Sequence, residues 1–168
     1  MQTHNFGATY QEGIVSAIDP KSHKVRCKIP SLEDLETAWL SFLTPNAGGN
    51  QFYCLPDVGE LVAILLDARG EGGCVLGAIY NEQDPTPVVN GEIWLKKFKN
   101  GTTIQHDRKS GDLTIYTTGK VIVNNCHVQV NNGNVNVSGG DVIADGISLK
   151  NHHHIEQGDG KPTSPSQA

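Results

Sequence analysis

Apolar and polar residues follow two different patterns along this chain. Between Gly13 and Tyr80 short alternating runs are separated by turn residues. "GIVSAID" (13–19) and "KVRCKI" (24–29) predict two strands, and the loop "DPKSH" between them has Asp-Pro turn chemistry. "AWLSFL" (38–43) predicts a third strand with Trp39 in the core. "PDVGELVAILLD" (56–67) reads as a turn leading into a nearly continuous apolar strand, and "GCVLGAIY" (73–80) as the fifth strand. Five short strands in about seventy residues fit an OB-type barrel. The polar, proline-bearing stretch 81–92 reads as a boundary. After it, "IWLKKFKNGTTIQHDRKSGDLTIYT" predicts alternating strands joined at "KNG" and "KSG".

From Thr117 the pattern becomes a repeat of seven: TTGKVIV, NNCHVQV, NNGNVNV, SGGDVIA, DGISLKN. Position five holds Val121, Val128, Val135, Val142 and Leu149; position seven holds Val123, Val130, Val137 and Ala144. Gly, Asn and Val are poor helix formers and the apolar spacing is two, so the repeat is β and not a coiled coil. Seven is odd, so unbroken alternation would turn every second valine set outward. The valines keep one face only if each block contains a one-residue slip. The Gly and Asn residues at the block starts tolerate the positive φ such a slip needs, and the slip is expected between positions seven and one. Each block offers too few apolar side chains to bury alone, and open strand edges would aggregate. Three copies wound about one axis, with the valines and Leu149 as trimer core, satisfy both demands. A single-chain solenoid is the alternative.

That register bears on "NHHH". His152 and His154 fall on the inward face and His153 on the outward one. Imidazoles at i and i+2 lie about 6–7 Å apart along a strand and can converge on one ion at about 2 Å. Two ligands from each of three chains would close an octahedral shell with no open position, a structural site for one transition-metal ion per trimer. Two alternatives stand beside it. One is a solvated His-rich tail. The other is a catalytic site of His152, His154 and Glu156, which would need a further histidine; His127 is the nearest but occupies an outward fourth position.

Composition narrows the field. Net charge is −5 and aromatics make up 6% of the residues, so no basic or aromatic groove for nucleic acid is evident. Cys27, Cys54, Cys74 and Cys126 are irregularly spaced, with no CxxC, and are expected as buried or half-buried thiols, with a disulfide framework or a zinc site as the alternative. The N-terminal residues lack an apolar signal core, and no run approaches the roughly 20 residues of a membrane-spanning helix. The protein is therefore expected to be made soluble in the cytosol, or to leave by a route the sequence does not show. The segment "GDGKPTSPSQA" has no packing pattern and is expected to be loose. The anticipated divisions are an N-terminal segment 1–12, an OB-fold domain 13–88, a linker with the start of β-structure 89–116, a shaft 117–151, and a tip and tail 152–168.

"GIVSAIDPKSHKVRCKI", "PDVGELVAILLD" and "GCVLGAIYNEQDPTP" resemble the OB domain of the baseplate assembly protein V family, the tail spikes of P2-like contractile phages, related in plan to type VI secretion and pyocin spikes. "GDVIADGISLKNHHH" is similar to that family's β-helical end and its HxH tip. The resemblance implies an all-β homotrimer: an OB barrel, then an intertwined triple-stranded β-helix ending in an iron ion held by six histidines, here His152 and His154 of each chain. It implies a location in the virion's tail baseplate, contacts with tail tube and hub proteins, and mechanical piercing of the host outer membrane. Neither an enzymatic activity, a lytic domain, a small-molecule substrate nor nucleic-acid binding is expected. Where family members often continue with glycines after the motif, this chain has Ile155, Glu156 and Gln157. The competing function is an OB binding module for glycan or nucleic acid on a trimerisation stalk; a metalloenzyme is the third.

Overall fold

A computed structural model describes residues 7–154 together with Gly158 and Lys161. The expectations for Glu156 and for the tail other than Gly158 and Lys161 lie outside the described residues. Among the described residues, every regular element apart from one 3-10 turn, Pro30–Leu32, is a β-strand.

Six strands build the first sheet: β1 (Ala8–Asp19), β2 (Lys24–Ile29), β3 (Leu35–Glu36), β4 (Leu40–Phe42), β5 (Leu61–Asp67) and β6 (Gly73–Ala78). Their order is β1-β5-β6-β4-β2, and β2 pairs back onto β1. The sheet thus closes into a five-stranded barrel of OB type, with β3 added beside β2. Only β4 and β6 run parallel. Alternation sets the interior: β2 turns Val25, Cys27 and Ile29 inward, and β5 contributes Val62, Ile64 and Leu66. Val15, Leu40 and Val75 complete the core.

β1 serves two neighbours. Its first half, Ala8 to Ile14, pairs with β5, and its second half, from Ile14, pairs with β2. Gly13 stands at this crossing, where a Cβ would lie 2.7 Å from Ile64 Cδ1 and 3.2 Å from Cys27 Cβ. The strand therefore begins five residues before the expected start at Gly13, since backbone pairing with β5 holds the polar stretch around Gln11.

Two expectations about burial need correction. Trp39 is 40% exposed and lies outside the core. Leu40 takes the inward position at the start of β4, so its neighbour faces out, and the Arg26 guanidinium covers the indole at 5.0 Å. Arg26 is in turn held by Glu36 at 3.3 Å. Of the four thiols, Cys27 is buried and Cys74 half-buried, but Cys54 and Cys126 are exposed, and all four are free. Cys54 sits in the irregular loop between β4 and β5, and Cys126 in the repeat, where a lone chain has nothing to pack on it. Burial pushes the Cys27 thiol up to about 11.

β7 (Ile93–Lys97), β8 (Thr103–Asp107) and β9 (Leu113–Tyr116) form an antiparallel meander. Its two turns fall at "KNG" and "KSG" as expected, with Gly101 and Gly111 at φ 85° and 84°. Lys96 binds the meander to the barrel's long loop, its ammonium 4.7 Å from the Phe52 ring and 5.2 Å from Phe98. Lys99 adds an ion pair to Asp57 at 3.2 Å. The chain separates into two compact units after Thr118. Among the described residues no helix is long and apolar enough to cross a membrane.

Candidate assembly shaft and metal tip

The second unit begins at Gly119 with the repeat. Its backbone bends at a fixed interval. Asn125, Asn132, Gly139 and Gly146 have φ of 56°, 56°, 71° and 85°. These are the second positions of four successive blocks, and they carry the residue types that adopt the left-handed region most readily. The bend thus lies inside the block start, later than the slip expected between positions seven and one. The consequence is local. A Cβ at Gly133 would touch Val130 Cγ1 at 3.6 Å, and one at Gly140 would touch Val137 Cγ1 at 3.6 Å. Position three therefore looks toward position seven of the block before. Cys126 and, after three further bends, Ile147 occupy this same position.

The apolar positions of the repeat are not buried within the chain. Exposure runs from 44% at Val142 to 77% at Val128, and Ala144 and Leu149 are exposed as well. From Lys120 to Gly140 no strand pairs and no backbone group has a backbone partner among the described residues. Extended chain with a bare valine face and unpaired amides has every group needed to pair with further strands.

Next comes a closed local structure. β10 (Ile143–Ala144) and β11 (Ile147–Ser148) form a hairpin across Asp145-Gly146, both at positive φ (49° and 85°) as a tight two-residue turn requires. The Asp141 carboxylate accepts hydrogen bonds from the Ser148 hydroxyl, from the Val142 amide at 2.8 Å and from the Lys150 amide at 3.0 Å. These donors, the Ser148 hydroxyl foremost, hold its carboxyl below the usual carboxylate range. The Leu149 amide donates to Val142 O at 2.8 Å, and the Asn151 amide to Ser148 Oγ at 2.9 Å.

This turn delivers the histidines. The His152 amide donates to Ser148 O at 3.0 Å. Its ring Nδ1 stands 3.1 Å from Ser148 O and 2.9 Å from Leu149 O. Carbonyl oxygens only accept, so Nδ1 carries the hydrogen and Nε2 keeps the lone pair that a metal uses. The His154 ring lies 5.4 Å from that of His152, nearly perpendicular at 89°. Two rings at this separation are within reach of one ion about 2 Å from each nitrogen. His153 is exposed. Among the described residues no group of three potential ligands forms within the chain, so His127 does not join the pair. Among the described residues, one chain thus brings two imidazoles together. Asp141 and Ser148 had escaped the sequence reading. Their signal was present, since they occupy the same fourth position of adjacent blocks, seven residues apart.

Residues 11–80 match the type VI secretion system/phage-baseplate injector OB domain. Over 91 residues the chain is 31% identical to the spike protein of Escherichia phage P2. That alignment spans 54% of this chain and 43% of the phage protein, so the chain covers less than half of its relative's length. The matched segment is the closed barrel of β1 to β6, with all nine core residues inside it. Through this barrel the chain is similar to the phage-baseplate and type VI secretion injector OB domains.

Proposed function

We propose that the protein is the central spike of a contractile-tail baseplate, a homotrimer that pierces the host outer membrane mechanically. One observation carries the reading: a valine face repeated every seven residues, with the same bend in four of the five blocks and an unpaired backbone from Lys120 to Gly140. Three such chains wound together bury the valines at the centre and pair each strand with a neighbouring chain. The product is an intertwined β-helix with Asn, Lys, Gln and Asp outside. Strands in such a shaft slip only when many inter-chain hydrogen bonds break together, which gives stiffness under axial load.

At its end His152 and His154 of the three chains supply six nitrogens to one transition-metal ion, iron by likeness to the family. The donor set fits: two neighbouring rings per chain, with Nδ1 of His152 already committed to carbonyls. The ion's contribution is a cross-link. His152 and His154 hold the chain ends together where the valine core stops, so the point does not fray. The OB barrels form the base, attached to tail tube and hub proteins, and the assembled protein resides in the virion tail. The work is mechanical, without a catalytic step, small-molecule substrate or nucleic-acid ligand.

Native mass spectrometry with metal analysis of the purified protein tests this. The expected result is three chains and one ion per three chains. A well-folded single chain would overturn the spike, and one ion per chain would favour a metalloenzyme. A metal-free trimer would leave a binding module on a stalk.

A further inference from the structure

The two carbonyls that fix the His152 ring lie at the end of a strand and just beyond it. Ser148 O lies at the end of β11, and Leu149 O in the turn that follows. This turn is held from behind by a single carboxylate. Asp141 takes the Lys150 amide on one oxygen and the Ser148 hydroxyl on the other. The same hydroxyl accepts the Asn151 amide at 2.9 Å, so the Ser148 side chain passes the constraint along the turn. The Val142 amide, at 2.8 Å, ties the carboxylate itself to the start of the hairpin.

We propose that Asp141, acting through Ser148 and the Lys150 amide, is the positioning residue of the metal tip: it sets the turn whose carbonyls hold Nδ1–H of His152 and so presents Nε2 as the ligand nitrogen. The inference rests on the reading of His152 and His154 as ligands. Asp141 itself never reaches the ion. Without its carboxylate the Lys150 amide and the Ser148 hydroxyl lose their acceptor, the turn relaxes, and the imidazole regains its second tautomer and its rotation. Outer partners of this kind change metal affinity by about 10–100-fold. The latch closes within one chain, so each chain carries a preset half-site before the chains meet.

The test uses the full-length protein, stripped of metal and titrated with Co(II) against a competing chelator. The variants are Asp141→Ala, Asp141→Asn and Ser148→Ala, with His153→Ala as an outward control. Nitrogen-15 shifts of the His152 ring in the metal-free wild type give the tautomer directly. The expected result is Nδ1–H in the wild type and a 10–100-fold weaker site in Asp141→Ala at unchanged oligomeric state. Asp141→Asn retains one amide-accepting oxygen and should fall between, and His153→Ala should match wild type. Equal affinity in wild type and Asp141→Ala would overturn the inference while leaving the tip intact. If Asp141→Ala fails to assemble, Ser148→Ala and the wild-type tautomer decide, and Nε2–H there would overturn it. A wild-type trimer that takes up no Co(II) would remove the ligand reading and this inference with it.

Discussion

Gly13 lies where β1 passes from one partner strand to the other, and its hydrogen side is filled by Ile64, Cys27 and the Lys28 carbonyl. Gly13→Ala should therefore destabilise the barrel by about 1–3 kcal/mol, as overpacking does in a dense core; urea unfolding followed by tryptophan fluorescence measures it. The thiols give a second test at this scale. Cys27 is buried with its ionisation pushed up to about 11, so it should stay unalkylated at pH 8 until the barrel unfolds. Cys54 is exposed and should label at once. Cys126 separates the assembled protein from the lone chain. It is exposed in one chain, yet position three shares a side with the valines, so in the trimer it should be protected. Mass spectrometry after a short alkylation pulse distinguishes the two, and rapid labelling of Cys126 in the intact protein would count against the shaft.

Strands of the barrel were legible wherever one face is buried. "KVRCKI" alternates because Val25, Cys27 and Ile29 face the core while Lys24, Arg26 and Lys28 do not, and β2 has the bounds its sequence suggests. The first half of β1 was not legible, because Gln11 and Glu12 are held by main-chain pairing that leaves no apolar pattern. Trp39 misled for the opposite reason: its size suggests burial, but alternation gives the inward place to Leu40, and a distant arginine covers the indole. In the repeat, the bends could be inferred from the odd period, but their placement at position two depends on local φ that composition does not reveal. The pairing of His152 and His154 followed from spacing; the carbonyls that fix His152 did not, because they lie in a turn closed by Asp141. For the repeat as an element, Val135→Asp is the direct probe. The residue is exposed in the single chain, so the barrel's unfolding midpoint should be unchanged, whereas burying three carboxylates at the centre of a trimer should abolish assembly. Sedimentation velocity reads the outcome, and a trimeric Val135→Asp protein would show that this face is not the interface.

On the scale of the whole molecule, the barrel has its own core and closed hydrogen bonding, whereas the repeat has neither within one chain. A chain ending at Thr118 should therefore keep the barrel's cooperative unfolding but lose the trimeric mass, as measured by calorimetry and native mass spectrometry. A trimer formed by that fragment would move the assembly determinant into the barrel. The full protein should in turn unfold in two separable steps. The fixed interval between left-handed residues also makes the repeat's extent adjustable only in discrete increments. Inserting or deleting one whole block leaves every later residue facing as before, so in the proposed trimer His152 would still meet its counterparts at the far end. Adding a single residue would turn every later side chain to the opposite side and scatter the imidazoles outward. Reach can thus vary between relatives without redesigning either extremity, provided that it varies in units of seven.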